Sequence, residues 1–111
     1  MGRLRLQAAG SPGAAEEANT EQLNFTVSIT DHDSDAVENL DSPAFRLESP
    51  IVGPGGPPVD LASVDERAPG VYILTAIPRR PWARGTYLYV LTVEDDHDRG
   101  QTVIPVTVPG I

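Results

Sequence analysis

The chain has 111 residues, a formal net charge of −8 and no cysteine. That length suits one domain, and the missing cysteine excludes a disulfide framework and a cysteine-based zinc site. The acidic balance excludes the usual basic face of a nucleic-acid binder, and no apolar run approaches the roughly 18 residues that a membrane-spanning helix needs.

The N-terminal part of the chain differs in composition from the rest. It contains a small and polar stretch, AAGSPGAAEEANTE, which has no strand period. We therefore predict a flexible N-terminal segment or linker over residues 1–21, in which residues 3–6 alternate as a short edge strand would. Residues 22–111 are predicted to form the folded domain.

The folded part carries a succession of short strand patterns. Leu23–Thr30 alternates apolar and polar residues, which is typical of a strand with one buried face. Shorter strands are predicted at residues 44–47 and 59–63, on either side of a proline- and glycine-rich loop at residues 49–58. Patterns rich in β-branched and aromatic residues follow at 70–77, 86–93 and 101–108.

Together these patterns predict an all-β fold, an antiparallel β-sandwich of about seven strands. No helical period of useful length follows Thr20, and 11 prolines and 10 glycines suit short strands joined by turns. Pro105 lies inside the last strand pattern. Because proline cannot donate to a β-ladder, this position predicts an edge strand or a bulge.

Three motifs in the second half of the chain resemble those of a known family. They are Gly70-x-Tyr72-x-Leu74-x-Ala76-x-Pro78, Gly85-x-Tyr87-x-Tyr89-x-Leu91-x-Val93 and Ile104-x-Val106-x-Val108. Their succession resembles strands E, F and G of immunoglobulin-like repeats of the filamin and bacterial invasin type. The resemblance implies an immunoglobulin-like sandwich and transfers no catalytic residue. The upstream stretch AVENLDSPAFRL is similar to its counterpart in bacterial repeats but lacks the glycine.

The alternation also predicts the two faces of the sandwich. Asn24, Thr26 and Ser28 should face solvent because they alternate with the apolar positions of their strand. The residues predicted to be buried between the sheets are Leu23, Phe25, Val27, Ile29, Tyr72, Leu74, Tyr87, Tyr89, Leu91 and Val93.

Two acidic tracts, DHDSD at 31–35 and EDDHD at 94–98, follow predicted strands. The strand count places both at one end of the sandwich, where carboxylates from two loops suit calcium. The first tract lacks the glycine and the glutamate of an EF-hand loop. The alternative is two solvated turns, because aspartate terminates strands well. The predicted calcium ligands are Asp31, Asp33, Asp35, Asp95, Asp96 and Asp98.

The only two histidines, His32 and His97, lie in the same acidic tracts. With the flanking aspartates they would supply ligands for a transition metal. The alternative is that both are exposed turn residues, because each lies in a short polar connection between strands.

The connection PRRPWARG at 78–85 carries three arginines and the only tryptophan. An exposed tryptophan beside arginine stacks on a sugar or on another protein, whereas a buried one closes the end of the core under the arginine stems. We predict a partner-binding surface here, formed by Arg79, Arg80, Trp82 and Arg84.

No sequence motif indicates catalysis. No serine lies in a G-x-S-x-G setting, and the glycines at 53–56 lie in a proline-rich loop instead of opening a helix. We therefore expect a non-catalytic immunoglobulin-like module of a larger extracellular or cell-envelope protein, used in adhesion, spacing or assembly. Its expected partners are neighbouring domains or other proteins, with neither nucleic acid nor membrane insertion. The alternative is a carbohydrate-binding accessory module of a secreted enzyme that works through Trp82.

Overall fold

The strands of the chain form two β-sheets that face each other. The computed structural model describes residues 2–10, 15–48, 57–95 and 98–110. A short 3-10 turn at Ser42–Ala44 precedes the fourth strand. In chain order the strands are β1 Gly2–Arg3, β2 Arg5–Gly10, β3 Leu23–Thr30, β4 Phe45–Glu48, β5 Val59–Ala68, β6 Val71–Pro78, β7 Gly85–Asp95 and β8 Asp98–Val108.

The strand order is β2-β3-β6-β5 in one sheet and β1-β8-β7-β4 in the other. The described pairings are antiparallel except that of β1 with β8, which is parallel and covers Gly2 and Arg3 alone. The predicted β-sandwich is confirmed, and the described residues form seven antiparallel strands besides the two-residue β1. Strand β5 extends to Ala68, five residues beyond its predicted end at Ser63, and bulges interrupt its pairing with β6.

The core lies between the sheets and contains the residues that the alternation predicted. All ten predicted core side chains, from Leu23 in β3 to Val93 in β7, are buried. On the outer face of β3, Thr26 is exposed, whereas Asn24 and Ser28 are half-buried. These two are partly covered because β3 lies between β2 and β6. The predicted strand register is therefore confirmed.

The structure of residues 2–10 differs from the sequence-based prediction of a flexible segment over residues 1–21. They form β1 and β2, and Leu4 between them is 4% exposed. The backbone N–H of Leu4 donates to the carbonyl oxygen of Arg99 (2.9 Å) as the chain crosses from β8 to β3. The physical reason is that one apolar side chain and an unpaired sheet edge are sufficient to dock a strand.

Pro105 lies at the outer edge of its sheet, as predicted. The carbonyl oxygen of Arg99 accepts a hydrogen bond from Leu4, so the backbone groups of Arg99 point away from β7. Pro105 follows six residues later on the same strand. Because the direction of the backbone groups alternates with a period of two residues, the backbone nitrogen of Pro105 also points away from β7. Strand β1 ends before this point, so the N–H that proline lacks would have had no partner in the described ladder.

Candidate functional site

The first acidic tract, residues 31–35, forms a closed turn directly after β3. The Oδ1 atom of Asp31 accepts hydrogen bonds from the backbone N–H groups of Asp33 (2.8 Å) and Asp35 (3.0 Å). The backbone N–H of Asp31 donates to the carbonyl oxygen of Asp35 (2.9 Å). Ser34 has a φ of 65°, a left-handed conformation that short polar residues tolerate in turns. The Asp31 side chain thus organises the turn.

Three carboxylates of this turn lie close enough together to contact one cation. Asp31, Asp33 and Asp35 each offer an oxygen, and these oxygens lie within 4.8 Å of one another. Asp31 is half-buried and the other two are exposed. The Nε2 atom of His32 lies 3.3 Å from the carboxylate of Asp33, and both side chains are exposed. Calcium takes 6–8 oxygen ligands in proteins, so these carboxylates would supply part of a coordination shell.

The second acidic tract lies at the same end of the sandwich but is not part of this cluster of three carboxylates. Arg5 pairs with Thr30, directly before the first tract, and Gly2 pairs with Asp98 in the second. The N-terminal strand therefore lies between the two turns. Asp95 and Asp98 pair with each other and close the β7–β8 hairpin. Asp96 and His97 lie outside the described residues.

The predicted calcium site is thus reduced to one turn among the described residues. The group of three carboxylates includes neither Asp95 nor Asp98. The two tracts do lie at a common end, because the N-terminal strand pairs there with Thr30 directly before the first tract and with Asp98 in the second. The same N-terminal strand, whose pairing with both β3 and β8 the strand count did not include, separates the tracts. Calcium binding itself stays a prediction.

The predicted arginine surface lies in the β6–β7 connection, at the opposite end of the molecule. Arg79 binds Asp60 through its Nε (2.9 Å) and Nη2 (2.7 Å) atoms. This hydrogen bond holds the pKa of the Asp60 carboxyl below its ordinary value and raises the pKa of Arg79. Both side chains are more than half exposed, so water screens the pair and its contribution to stability is small. Arg80 and Arg84 are also exposed.

Trp82 does not belong to that exposed surface, which corrects its assignment as a partner-binding residue and confirms the alternative that it closes the end of the core. Its side chain is 1% exposed, and its ring meets the ring of Tyr89 edge-on with centroids 6.5 Å apart. The indole Nε1 donates to the carbonyl oxygen of Glu21 (3.0 Å). Trp82 therefore closes the end of the core, because its large apolar ring gains more from burial than from exposure to water.

The segment that covers Trp82 could not be predicted from the sequence. The N–H of Trp82 donates to the carbonyl oxygen of Asn19 (2.9 Å), and the N–H of Ala18 donates to that of Trp82 (2.8 Å). The N–H of Glu17 donates to the carbonyl oxygen of Pro109 (3.0 Å). Backbone groups make these contacts, and such contacts leave no pattern of side chains to detect. The only apolar sign is Ala15, which is 3% exposed.

A shallow pocket of about 230 Å³ lies beside β4, where the sequence indicated no site. Glu94 at its rim attracts both Arg46 (3.6 Å) and Arg99 (3.5 Å). These ion pairs are exposed, so they contribute little binding energy of their own. The pocket is lined by Pro43, Ala44, Phe45, Arg46, Thr92 and Glu94.

Comparisons with known proteins assign no family to this chain. No family model, no curated protein and no solved structure matches it. None of the described residues belongs to a helix with the length and apolar character that crossing a membrane requires.

Proposed function

We propose that this chain is a non-catalytic immunoglobulin-like module of a larger extracellular or cell-envelope protein, used in adhesion, spacing or assembly. The observation that carries the proposal is the strand order. Strands β2, β3, β6 and β5 form one sheet, and β8, β7 and β4 form the other together with the two-residue β1 at its edge. When β2 to β8 are lettered A to G in chain order, the first sheet contains strands A, B, E and D and the second contains C, F and G. This is the arrangement of the constant-type immunoglobulin sandwich.

Two tyrosines of β7 support the same assignment. The hydroxyl of Tyr87, near the start of the strand, donates to the carbonyl oxygens of Ala83 (3.1 Å) and Arg84 (3.0 Å). A tyrosine at this place that bonds back to the preceding corner is typical of immunoglobulin-type sandwiches. Two residues later, Tyr89 contacts Phe25 of β3 across the sheets. In antibody domains a disulfide joins the corresponding strands.

The shape of the molecule supports a role in spacing. The molecule measures 44 × 24 × 19 Å along its principal axes. Gly2 pairs with Asp98 at the acidic end, whereas Val108 pairs with Gly85 at the arginine end. The two ends of the described chain therefore leave opposite ends of the sandwich. Modules connected in this way add their length to a chain of domains.

The exposed arginines at one end support a partner or a neighbouring domain there. Arg80 and Arg84 are exposed in the β6–β7 connection, and Arg84 lies beside Gly110, where the last described residues leave the sandwich. Charged groups of this kind orient a partner more than they bind it, and salt weakens their effect. The carbohydrate alternative is less favoured, because the buried indole of Trp82 offers no face on which a sugar would stack.

An antibody raised against the purified chain tests the proposal on cells of the source organism. It should label intact cells, and on a denaturing gel it should detect a band well above the 11.8 kDa of this chain. An antibody against a cytoplasmic protein is the matched control and should label the same cells after permeabilisation only. Labelling that requires permeabilisation, or a band at the size of this chain alone, would contradict the proposal.

A further inference from the structure

The N-terminal strand segment, residues 2–10, lies at the edges of both sheets and contributes little to the core. Only Leu4 is fully buried in it, and Leu6 and Ala8 are half-buried. Strand β2 forms six residue pairs with β3 and has no described strand on its other side. The segment therefore docks through backbone hydrogen bonds, through the buried side chain of Leu4 and through the half-buried side chains of Leu6 and Ala8, which pack against the core.

The N-terminal strand segment lies in a groove between the edges of β3 and β8. Gly100 of β8 lines it: a Cβ atom at this position would lie 2.4 Å from Cδ1 of Leu6 and 2.7 Å from the carbonyl oxygen of Leu4. Glycine is thus required where the segment crosses from one sheet to the other. The groove has a fixed register and a fixed place for two leucines, so it is a built strand-binding site.

The rest of the fold does not depend on which chain supplies this strand. The next described residues are anchored separately, through the bonds of Glu17 to Pro109 and of Ala18 to Trp82. Strands β3 to β8 retain their own pairings in both sheets. The segment carries Arg3 and Arg5 and no acidic residue, so the remainder has a formal charge of −10, against −8 for the whole chain. Electrostatic attraction therefore draws any copy of the segment towards any copy of the remainder.

We propose that the groove binds the N-terminal strand segment of a second copy of this chain as well as its own. Every contact of the segment is kept when two copies exchange strands, so the two forms differ only in the cost of association. A strand tethered in its own chain by a short linker has an effective concentration on the order of millimolar. Exchange between copies should therefore become measurable as the protein concentration approaches that range. The proposal does not depend on the function proposed above.

Single cysteines placed in the cysteine-free chain test the exchange. Ala9 and Thr26 are directly opposite each other and both are exposed. Opposite residues of antiparallel strands have Cα atoms about 4.5–5.5 Å apart, within disulfide range. The double variant A9C/T26C should form a disulfide within one chain, which checks the register. Equimolar A9C and T26C should form a mixed disulfide dimer whose yield rises with protein concentration.

The matched control replaces T26C by A62C, because Ala62 is exposed on β5, at the far edge of the same sheet. Its mixture with A9C should give only the background of random collision, several-fold below the yield of the A9C and T26C pair. Equal yields from the two mixtures, after prolonged incubation at the highest soluble concentration, would overturn the proposal. Failure of the double variant to form its internal disulfide would also overturn the proposal, because β2 and β3 would then not pair in the register described.

Discussion

Phe25 of β3 and Tyr89 of β7 contact each other across the two sheets, with ring centroids 6.5 Å apart and an interplanar angle of 57°. Tyr89 also meets Trp82 edge-on. The chain has no cysteine, so an aromatic contact and not a disulfide joins these two strands across the core. Tilted aromatic pairs add about 0.5–1.5 kcal/mol beyond the burial of their area.

Phe25→Ala should therefore be among the most destabilising single substitutions in this chain. Deleting a buried phenylalanine ring costs about 3–5 kcal/mol, out of roughly 5–15 kcal/mol for a typical domain. Urea denaturation should show a large fall in the midpoint. Thr26→Ala, at the exposed neighbouring position, should change the free energy of unfolding by less than about 0.5 kcal/mol. Similar losses in both variants would mean that the cross-sheet contact is not central to stability.

Tyr89 should make the protein sensitive to alkaline pH. Burial raises the pKa of its hydroxyl above the ordinary value of 10.0, and the hydroxyl donates to the carbonyl oxygen of Pro57 (2.8 Å). A group whose pKa is raised by folding contributes stability that is complete below its unfolded pKa and is lost above it. The free energy of unfolding should therefore fall as pH rises above about 10.

The variant Tyr89→Phe separates this effect from general alkaline unfolding. It should lower stability at neutral pH by about 1–3 kcal/mol, because the carbonyl of Pro57 loses its buried donor. Its stability should then fall less steeply than that of the natural chain at alkaline pH. Some dependence should remain, because burial also raises the pKa of Tyr72. Parallel pH profiles for the two proteins would show that Tyr89 does not contribute.

Trp82 offers a direct optical test of the closed end of the core. Because it is the only tryptophan and is 1% exposed, its emission should be blue-shifted and poorly quenched by acrylamide in the folded state. Oligosaccharides should leave the emission unchanged, since no face of the ring is available to them. Trp82→Phe should cost about 1–3 kcal/mol, because the carbonyl of Glu21 loses its donor. Efficient quenching in the native state would contradict this burial.

The sequence predicts the central strands well and the N-terminal strand poorly, for a physical reason. In Leu23–Thr30 every second residue is apolar over eight positions, so only one register buries them all. Residues 2–10 contain just two leucines: the alternation at residues 3–6 allows a short edge strand, but it does not show where such a strand docks. Their place is set by the edges of β3 and β8, which distant parts of the chain supply.

The candidate sites also differ in how well the sequence predicts them. The turn at 31–35 is local, and one side chain, that of Asp31, closes it, so the tract could be recognised from the sequence. The burial of Trp82 depends on backbone carbonyls of Asn19 and Glu21, more than 60 residues earlier in the chain. A backbone carbonyl is the same for every residue type, so the sequence carries no sign of that contact.

The calcium hypothesis can now be tested on a defined turn. A site with a Kd of about 1 mM, which is typical of extracellular modules, would stabilise the fold by roughly 1.4 kcal/mol at tenfold excess of calcium. Asp33→Asn should abolish this gain, because it removes one of the three carboxylates. Thermal melts with and without calcium, with magnesium as the control ion, measure the effect. A melting temperature that does not respond to calcium would leave the turn with a structural role only.

That structural role predicts a difference between two substitutions of Asp31. Asparagine retains the Oδ1 acceptor for the N–H groups of Asp33 and Asp35, whereas alanine removes it. In calcium-free buffer Asp31→Ala should therefore lower the free energy of unfolding by about 1–2 kcal/mol and Asp31→Asn by much less. Chemical denaturation measures both. Equal losses would mean that the charge of Asp31, and not its hydrogen bonds, stabilises the turn.

Gly100→Ala should weaken the docking of the N-terminal strand segment. The added Cβ would meet Cδ1 of Leu6 at 2.4 Å and the carbonyl oxygen of Leu4 at 2.7 Å, so the backbone of the segment would have to move. Such overpacking costs about 1–3 kcal/mol. Hydrogen exchange should show faster exchange at residues 5–10 than in the natural chain. Gly10→Ala is the control, because its Cβ would lie 3.3 Å from Cε1 of Phe25 and requires only a small adjustment. If the backbone amides of residues 5–10 exchange at the same rate in both variants, Gly100 does not determine where the strand docks.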